Sequence, residues 1–296
     1  MFRLGFDIGG TNFKFALIKD YEILEKSSFF CDEIIDNFQI CQKIKEQCDF
    51  WKEKYSFQKF DFIGIGVPGE VAENKIIKTP NLKFDIKNLP YKIEKIFKQE
   101  VQVENDAVCA GIYDYLSIKN KPKAMLSVTL GTGIGGSLIY NNKIYVGAGF
   151  APLEIGHMVI EKDGINCNCG QRGCFEKYAS ISSMIDYYQD KTDEFKTAEE
   201  ILSLYLKNDN ESKKTIERFV NYLSLGLTNL VNILSPDMII ISGSFSSHME
   251  PLMEKIREIV KLNKYSKDDD LPKIKLSKAG ANAGLLGAAY LDFKKI

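Results

Sequence analysis

The chain carries almost no net charge: 39 basic and 40 acidic side chains leave −1 at neutral pH over 296 residues. A polyanion meets no general attraction to such a surface, so nucleic acid is not an expected partner. No uninterrupted apolar run is long enough to span a bilayer, and the opening Met1-Phe-Arg-Leu-Gly-Phe-Asp7 has no signal-peptide pattern. No membrane partner is expected, and the expected location is the cytoplasm, where thiols stay reduced. The cysteines number seven, with Cys31, Cys41, Cys48 and Cys109 scattered and Cys167, Cys169 and Cys174 clustered. An odd, uneven set of this kind argues against a disulfide framework and leaves the scattered four as small buried residues. Histidine is scarcer, with two in the chain. The remainder, 45% hydrophobic and 27% charged, is an ordinary globular composition, long enough for two domains with separate cores.

One of the two histidines stands beside the clustered cysteines, in the 23 residues from Glu154-Ile-Gly-His157 through Cys167-Asn-Cys169-Gly-Gln-Arg-Gly-Cys174-Phe-Glu176. Three thiolates and an imidazole satisfy the four tetrahedral positions of a structural zinc, which makes His157, Cys167, Cys169 and Cys174 the candidate ligands. The plainer reading is a Gly-rich loop with incidental thiols, and a lone histidine is more often structural. The position of His157 ten residues before Cys167 favours the metal. A loop closed in this way would hold Glu154 and Glu176 in fixed positions.

The rest of the chain contains a repeat. Residues 2–8 read as a strand, followed by Gly9-Gly10-Thr11-Asn12, a second strand over 13–18, a turn, and a third strand over 21–24. The pattern returns as a strand over 124–130, Gly131-Thr-Gly-Ile-Gly-Gly136, a strand over 137–140, an Asn141-Asn142 turn and a strand over 143–146. Setting Asp7 on Thr129 places Gly9 on Gly131, about 122 residues apart, and predicts two similar α/β lobes facing a cleft. Glycines at such strand junctions let backbone amides approach a phosphate. Gly131–Gly136 also fits a dinucleotide fingerprint, but a strand follows it instead of a helix, so that reading fails. No Walker A loop is present.

Between the repeats, helix is expected over 36–54, a buried strand over 61–67 ending at Pro68-Gly69, and a loop at 79–81. A strand over 101–103 then leads through Glu104-Asn105-Asp106-Ala107 into a helix reaching about Leu116. Asp106 thus sits at a strand end, where α/β proteins place ligands, although capping the helix would by itself account for an aspartate there. Further helices are expected over 178–190, 197–207 and 211–234, the last with a core stripe of Leu223, Leu227, Leu230, Val231 and Leu234. A buried strand over 237–242 ends at Gly243-Ser244. A strand over 273–277 and a helix over about 283–293 close the chain.

Taken in order, Asp7-Ile-Gly-Gly-Thr-Asn12, Gly64-Ile-Gly-Val-Pro-Gly69, Glu104-Asn-Asp-Ala107, Leu130-Gly-Thr-Gly-Ile-Gly-Gly136, Glu154-Ile-Gly-His157 and the cysteine motif resemble the ROK family of sugar kinases and repressors, within the actin-like ATPase superfamily. The resemblance implies a two-lobed α/β fold of ribonuclease H type with an interlobe cleft. The expected lobes are a small one, residues 1–117 plus 284–296, and a large one, residues 118–283. It further implies ATP, Mg²⁺ and Zn²⁺ as cofactors, a sugar substrate and a homodimer. By the same resemblance Asp106 is the general base, and Gly69, Asn81, Asn105, Asp106, Glu154, His157 and Glu176 bind the sugar. His157 then serves both zinc and sugar. Asp7 holds the magnesium with its waters, and Gly9, Gly10, Thr11, Asn12, Lys14, Gly131, Thr132 and Gly133 surround the phosphates. Gly243 and Ser244 line the adenosine side.

Within the family, Glu-Ile-Gly-His-Met with this cysteine loop is most similar to the glucokinase branch, so the leading expectation is conversion of glucose to glucose 6-phosphate. Ala151-Pro152-Leu153 before the first glutamate and Glu70 after Gly69 depart from many glucokinase-like members, which leaves N-acetylmannosamine, N-acetylglucosamine, fructose and mannose open. A repressor of the family carries a helix-turn-helix domain ahead of the first Gly turn. With Asp7 so near the start and no basic excess, that function is not expected.

Overall fold

The computed structural model describes residues 1–10, 12–30, 37–79, 82, 85–147, 153–267 and 270–293. Thr11, Asn81, Cys31, Ala151 and Pro152 lie outside these. The chain forms two compact units, Met1–Lys121 with Asn142–Pro152 and Asn282–Ile296, and Pro122–Asn141 with Leu153–Ala281.

The first unit opens with β1 (Arg3–Ile8), β2 (Asn12–Lys19) and β3 (Glu22–Phe30), each paired antiparallel with the next. Asp20 and Tyr21 both take positive φ, 51° and 67°, the backbone that a tight hairpin turn needs. After α1 (Asn37–Lys54), β4 (Phe62–Val67) joins β1 in parallel. The small hairpin β5 (Glu70–Ala72) and β6 (Lys75–Lys78) and the helix α2 (Leu89–Phe97) lead to β7 (Gln102–Asn105), parallel to β4. The sheet order is β3-β2-β1-β4-β7. One face carries the unit's own core, where Leu4, Phe6, Ile8, Phe13, Phe15, Ile63 and Ile65 meet Trp51 and Ile44 of α1. Cys41, Cys48 and Cys109 are buried free thiols, in line with expectation. Helix α3 (Asp106–Leu116) begins directly at the end of β7.

The second unit repeats this plan. Strands β8 (Ala124–Leu130) and β9 (Ile134–Tyr140) form an antiparallel pair, ending at Asn141 and Asn142 with φ of 51° and 62°. β10 (Lys143–Ile144) is shorter than the strand expected over 143–146. Glu176–Ala179 forms α4, followed by α5 (Ile181–Thr192), α6 (Ala198–Leu206) and α7 (Asn210–Leu234). Strand β11 (Met238–Ser242), helix α8 (Glu250–Asn263) and strand β12 (Lys273–Leu276) then give the side-by-side order β9-β8-β11-β12, with β11 parallel to both neighbours. Strand for strand this matches β2-β1-β4-β7, as the internal repeat predicts. The α7 stripe of Leu223, Leu227, Leu230 and Val231 is buried among Val128, Ile239, Ile241, Leu252 and Ile256, and Leu234 packs partly against them.

Other expectations differ in detail, with β3 running on to Phe30, beyond the strand expected over 21–24. The helix expected over 178–190 is broken at Ser180, which adopts an extended backbone and caps α5. The closing helix, α9 (Ala283–Ala288), stops short of 293. Helices α2 and α8 go beyond the expected set, although the apolar spacing of Leu252, Met253, Ile256 and Val260 in α8 follows a helical period. Among the described residues no helix is long and apolar enough to cross a membrane.

Candidate functional site

In the first unit the turn between β1 and β2 is closed by Gly9 N donating to Asn12 O at 2.8 Å. Asp7 and Lys14 are cross-strand partners beside it, with the Lys14 ammonium 3.8 Å from the Asp7 carboxylate, whose side chain is 18% exposed. Burial pushes the Asp7 carboxyl above its usual value, and Lys14 and Lys26 pull it back in part. Lys26 is the residue that sequence reasoning missed. It stands on β3 opposite Ala16, on the same face as Lys14, and its Nζ donates to Asn282 Oδ1 at 2.6 Å. Only the hairpin register, which sets positions 14 and 26 on one face, makes it visible.

Asn105, not Asp106, is the N-cap of α3: its Oδ1 accepts from Ala107 N at 2.9 Å and Val108 N at 3.2 Å. Its Nδ2 donates to Gly69 O at 3.0 Å, which joins two of the expected sugar residues. Asp106 takes the first helical position, where its Oδ1 accepts from Ala107 N at 2.8 Å. Capping is therefore supplied by the neighbouring residue. The Asp7 carboxylate and the backbone carbonyl of Asp106 both border Gly284, since a Cβ there would lie 3.6 Å from each.

In the second unit, Gly131 N donates to Gly133 O at 3.0 Å, and Ile181 N of α5 donates to Gly131 O at 3.0 Å. The turn that includes Thr132 is thereby tied to a helix start. Gly243, at φ 115°, ends the adjacent strand β11, and Ser246 Oγ donates to its carbonyl at 2.7 Å. Ser244 opens the short 3₁₀ helix that follows. Both Gly sites thus stand at the carboxyl ends of paired parallel strands, the edge at which open α/β sheets place ligands.

The ligand atoms of His157, Cys167, Cys169 and Cys174 all lie within 4.8 Å of one another. Cys169 Sγ is 3.5 Å from Cys174 Sγ, and His157 Nδ1 is 3.6 Å from Cys167 Sγ. A tetrahedron with Zn–S bonds of about 2.3 Å has S···S edges of roughly 3.8 Å, so the four donors fit a zinc ion. Burial raises the Cys167 thiol and pushes Cys174 up to about 12, while the Gln171 N–H lowers Cys169. His157 turns Nδ1 toward the thiols and Nε2 toward Glu154, whose carboxylate is 4.0 Å away. Glu176 stands between the thiols and the Gly turn: Cys167 Sγ donates to its Oε1 at 3.2 Å, and a Cβ on Gly133 would come within 2.5 Å of its Oε2.

The model of the family described as ROK matches residues 3–295. The chain belongs to the ROK family. Among its relatives, the N-acetyl-D-glucosamine kinase of Pasteurella multocida (strain Pm70) is 28% identical, over 99% of this chain and all of that protein. The glucokinase of Halalkalibacterium halodurans is also 28% identical, over 97% of this chain and 94% of that protein. The xylose repressor of Bacillus subtilis (strain 168) is 33% identical over 77% of this chain, and the match spans 60% of the repressor. A crystal structure of a ROK family glucokinase from Streptomyces griseus, in complex with glucose and AMPPNP, is similar with a TM-score of 0.84 and 25% identity, covering 98% of this chain and 99% of that one. The two α/β units of this ROK protein are those of the actin-like ATPase fold.

Proposed function

We propose that this ROK protein is an ATP-dependent sugar kinase that transfers the γ-phosphoryl group to a hexose, with glucose as the leading acceptor and glucose 6-phosphate as the product. The kinase names of the relatives that match over nearly their whole length support this reading, as does the glucose- and AMPPNP-bound glucokinase. The observation that carries it is the arrangement at His157. One ring nitrogen lies 3.6 Å from the Cys167 thiol within a cluster that includes Cys169 and Cys174, the other faces Glu154, and Glu176 stands between Cys167 and the Gly131–Gly136 turn.

Phosphoryl transfer needs little covalent help, so alignment and charge neutralisation are the tasks for the protein. In the first unit, Asp106 is the proposed base that accepts the proton of the sugar hydroxyl. Asn105 caps α3 and bonds Gly69, which holds that carboxylate in place at the helix start. Gly9, Gly10, Thr11, Asn12 and Lys14 are proposed for the phosphates, with Asp7 holding the magnesium and its waters. Bound Mg²⁺ would neutralise phosphate charge. In the second unit, Glu154, His157 and Glu176 are proposed sugar ligands. Carboxylates and an imidazole read hydroxyls, each both donor and acceptor, through strong charge-assisted bonds. Bound zinc would fix the loop and the ring of His157. Gly131, Thr132 and Gly133 are proposed for phosphate, and Gly243 and Ser244 for the adenosine side. Asn81 remains a proposed sugar ligand outside the described residues.

N-acetylglucosamine is the second acceptor reading, favoured by the kinase relative of that name, which matches at the same identity as the glucokinase. A coupled assay with ATP across hexoses and N-acetylhexosamines separates the two. The highest kcat/KM on glucose supports the first reading, and the highest on N-acetylglucosamine replaces it with the second. Absence of turnover on every sugar, with ATP present, overturns the kinase. The family also implies a homodimer in the cytoplasm, and sedimentation of the purified protein measures the dimer.

A further inference from the structure

The segment 158–174 carries three of the four metal donors yet has little regular structure, with the isolated bridges Val159↔Cys174 and Asn166↔Arg172 between its two arms. Holding such a loop in one shape costs conformational entropy, which backbone bonds across it, among them Ile160 N to Gly173 O at 2.9 Å, Cys167 N to Gln171 O at 2.9 Å and Gly173 N to Ile165 O at 2.8 Å, oppose in part. The side chains that touch it from the helices are specific. Tyr178 of α4 accepts at its hydroxyl from Ile165 N at 2.7 Å, two residues before Cys167. A Cβ on Gly164 would lie 2.0 Å from that same hydroxyl, so the close approach requires glycine there. Tyr222 of α7 donates to Glu161 Oε2 at 3.4 Å. Arg218, one helical turn before Tyr222, lies over the rings of Tyr178, Tyr187 and Tyr222 at 5.3, 4.5 and 5.1 Å, and its Nη1 donates to Tyr178 O at 3.3 Å. The guanidinium thus fixes both rings whose hydroxyls reach the loop.

We propose that Tyr178, Tyr222 and Arg218 are positioning residues that brace the 158–174 loop against α4 and α7 and hold its donors in register for the metal. The consequence for metal affinity rests on the zinc reading above, whereas the bracing itself does not. Filling of the core alone would need the rings but not the Tyr178 hydroxyl, so Tyr178→Phe separates the two roles.

The test uses the full chain as wild type, Tyr178→Phe, Arg218→Met and Tyr187→Phe, the last keeping a ring on Arg218 and both loop hydroxyls. Amide hydrogen exchange is read across the second unit, and zinc affinity is read by competition with a chromogenic chelator. In Tyr178→Phe and Arg218→Met, exchange over 158–174 should quicken about 10-fold with α8 unchanged, and the zinc dissociation constant should rise on the order of 10-fold. Tyr187→Phe should match wild type, and the sugar KM of Tyr178→Phe should rise more than its kcat falls. Wild-type exchange over the loop in Tyr178→Phe overturns the brace, and so does faster exchange spread evenly over the unit. If the wild-type protein takes up no zinc, the metal reading fails and the exchange result alone decides the brace. Should Arg218→Met not fold, Tyr178→Phe retains the test.

Discussion

At the scale of single residues, Asp7 and Asp106 of the first unit make opposite demands. Asp106, as the proposed base, matters to the reaction and little to the fold, since Asn105 supplies the cap. Asp106→Asn should lower turnover by about 10²- to 10⁴-fold with an unchanged circular dichroism spectrum, and near wild-type turnover would remove it from the mechanism. Asp7 should cost the fold stability. Its carboxyl is raised by burial above the usual 3.8, so its contribution is full below that pH and is lost as pH rises through the higher folded value. At neutral pH the buried charge is a net penalty. Asp7→Asn should therefore raise the melting temperature at pH 7 while abolishing magnesium-dependent turnover, and the gain should shrink as the pH falls toward 3.8. A variant less stable than wild type at pH 7 would show that Lys14 and Lys26 more than repay the burial. Asp7 and Asp106 stand out in the sequence by their motifs, and Lys14 by the family resemblance. Lys26 does not, because nothing along the chain relates residue 26 to residue 7 until β1, β2 and β3 are aligned.

At the scale of elements, the helical pattern that runs from 178 to 190 is interrupted for a reason that lies in the turn before it. Ser180 leaves the helix, its Oγ accepts from Ser183 N at 3.0 Å, and the next residue, Ile181, donates its N–H to Gly131 O. The break therefore anchors the Gly turn to the start of α5. Apolar periodicity runs smoothly through Tyr178, Ile181 and Met184, so pattern alone reads one helix, and the competing hydrogen bonds come from a turn 50 residues earlier. Ser180→Ala should cost about 1 kcal/mol in urea unfolding, since the capping oxygen is buried and its partner N–H is left unpaired. A change within error would mean that water or another group takes over the cap.

At the scale of the whole molecule, each unit has a core of its own, and the four candidate metal ligands belong to the second. Calorimetry should resolve two transitions, and a strong chelator should lower only the one assigned to the second unit, because metal binding free energy there is folding free energy. Equal shifts in both transitions would refute that assignment, and no shift would argue against a structural metal. The repeat 122 residues apart, the strand–turn–strand units, the grouping of His157 with Cys167, Cys169 and Cys174, and the family were readable from residue order alone. Each depends on local spacing, on backbone-permissive glycines or on the chemistry of a side chain, and these are properties of the chain before it folds. The tertiary structure decided which nitrogen of His157 lies against Cys167, that Asn105 and not Asp106 caps α3, and that the Tyr178 and Tyr222 hydroxyls, with Arg218 over both rings, reach the 158–174 loop. Those outcomes depend on which of several available partners reaches a given donor first, and that is set by distances between segments far apart in sequence.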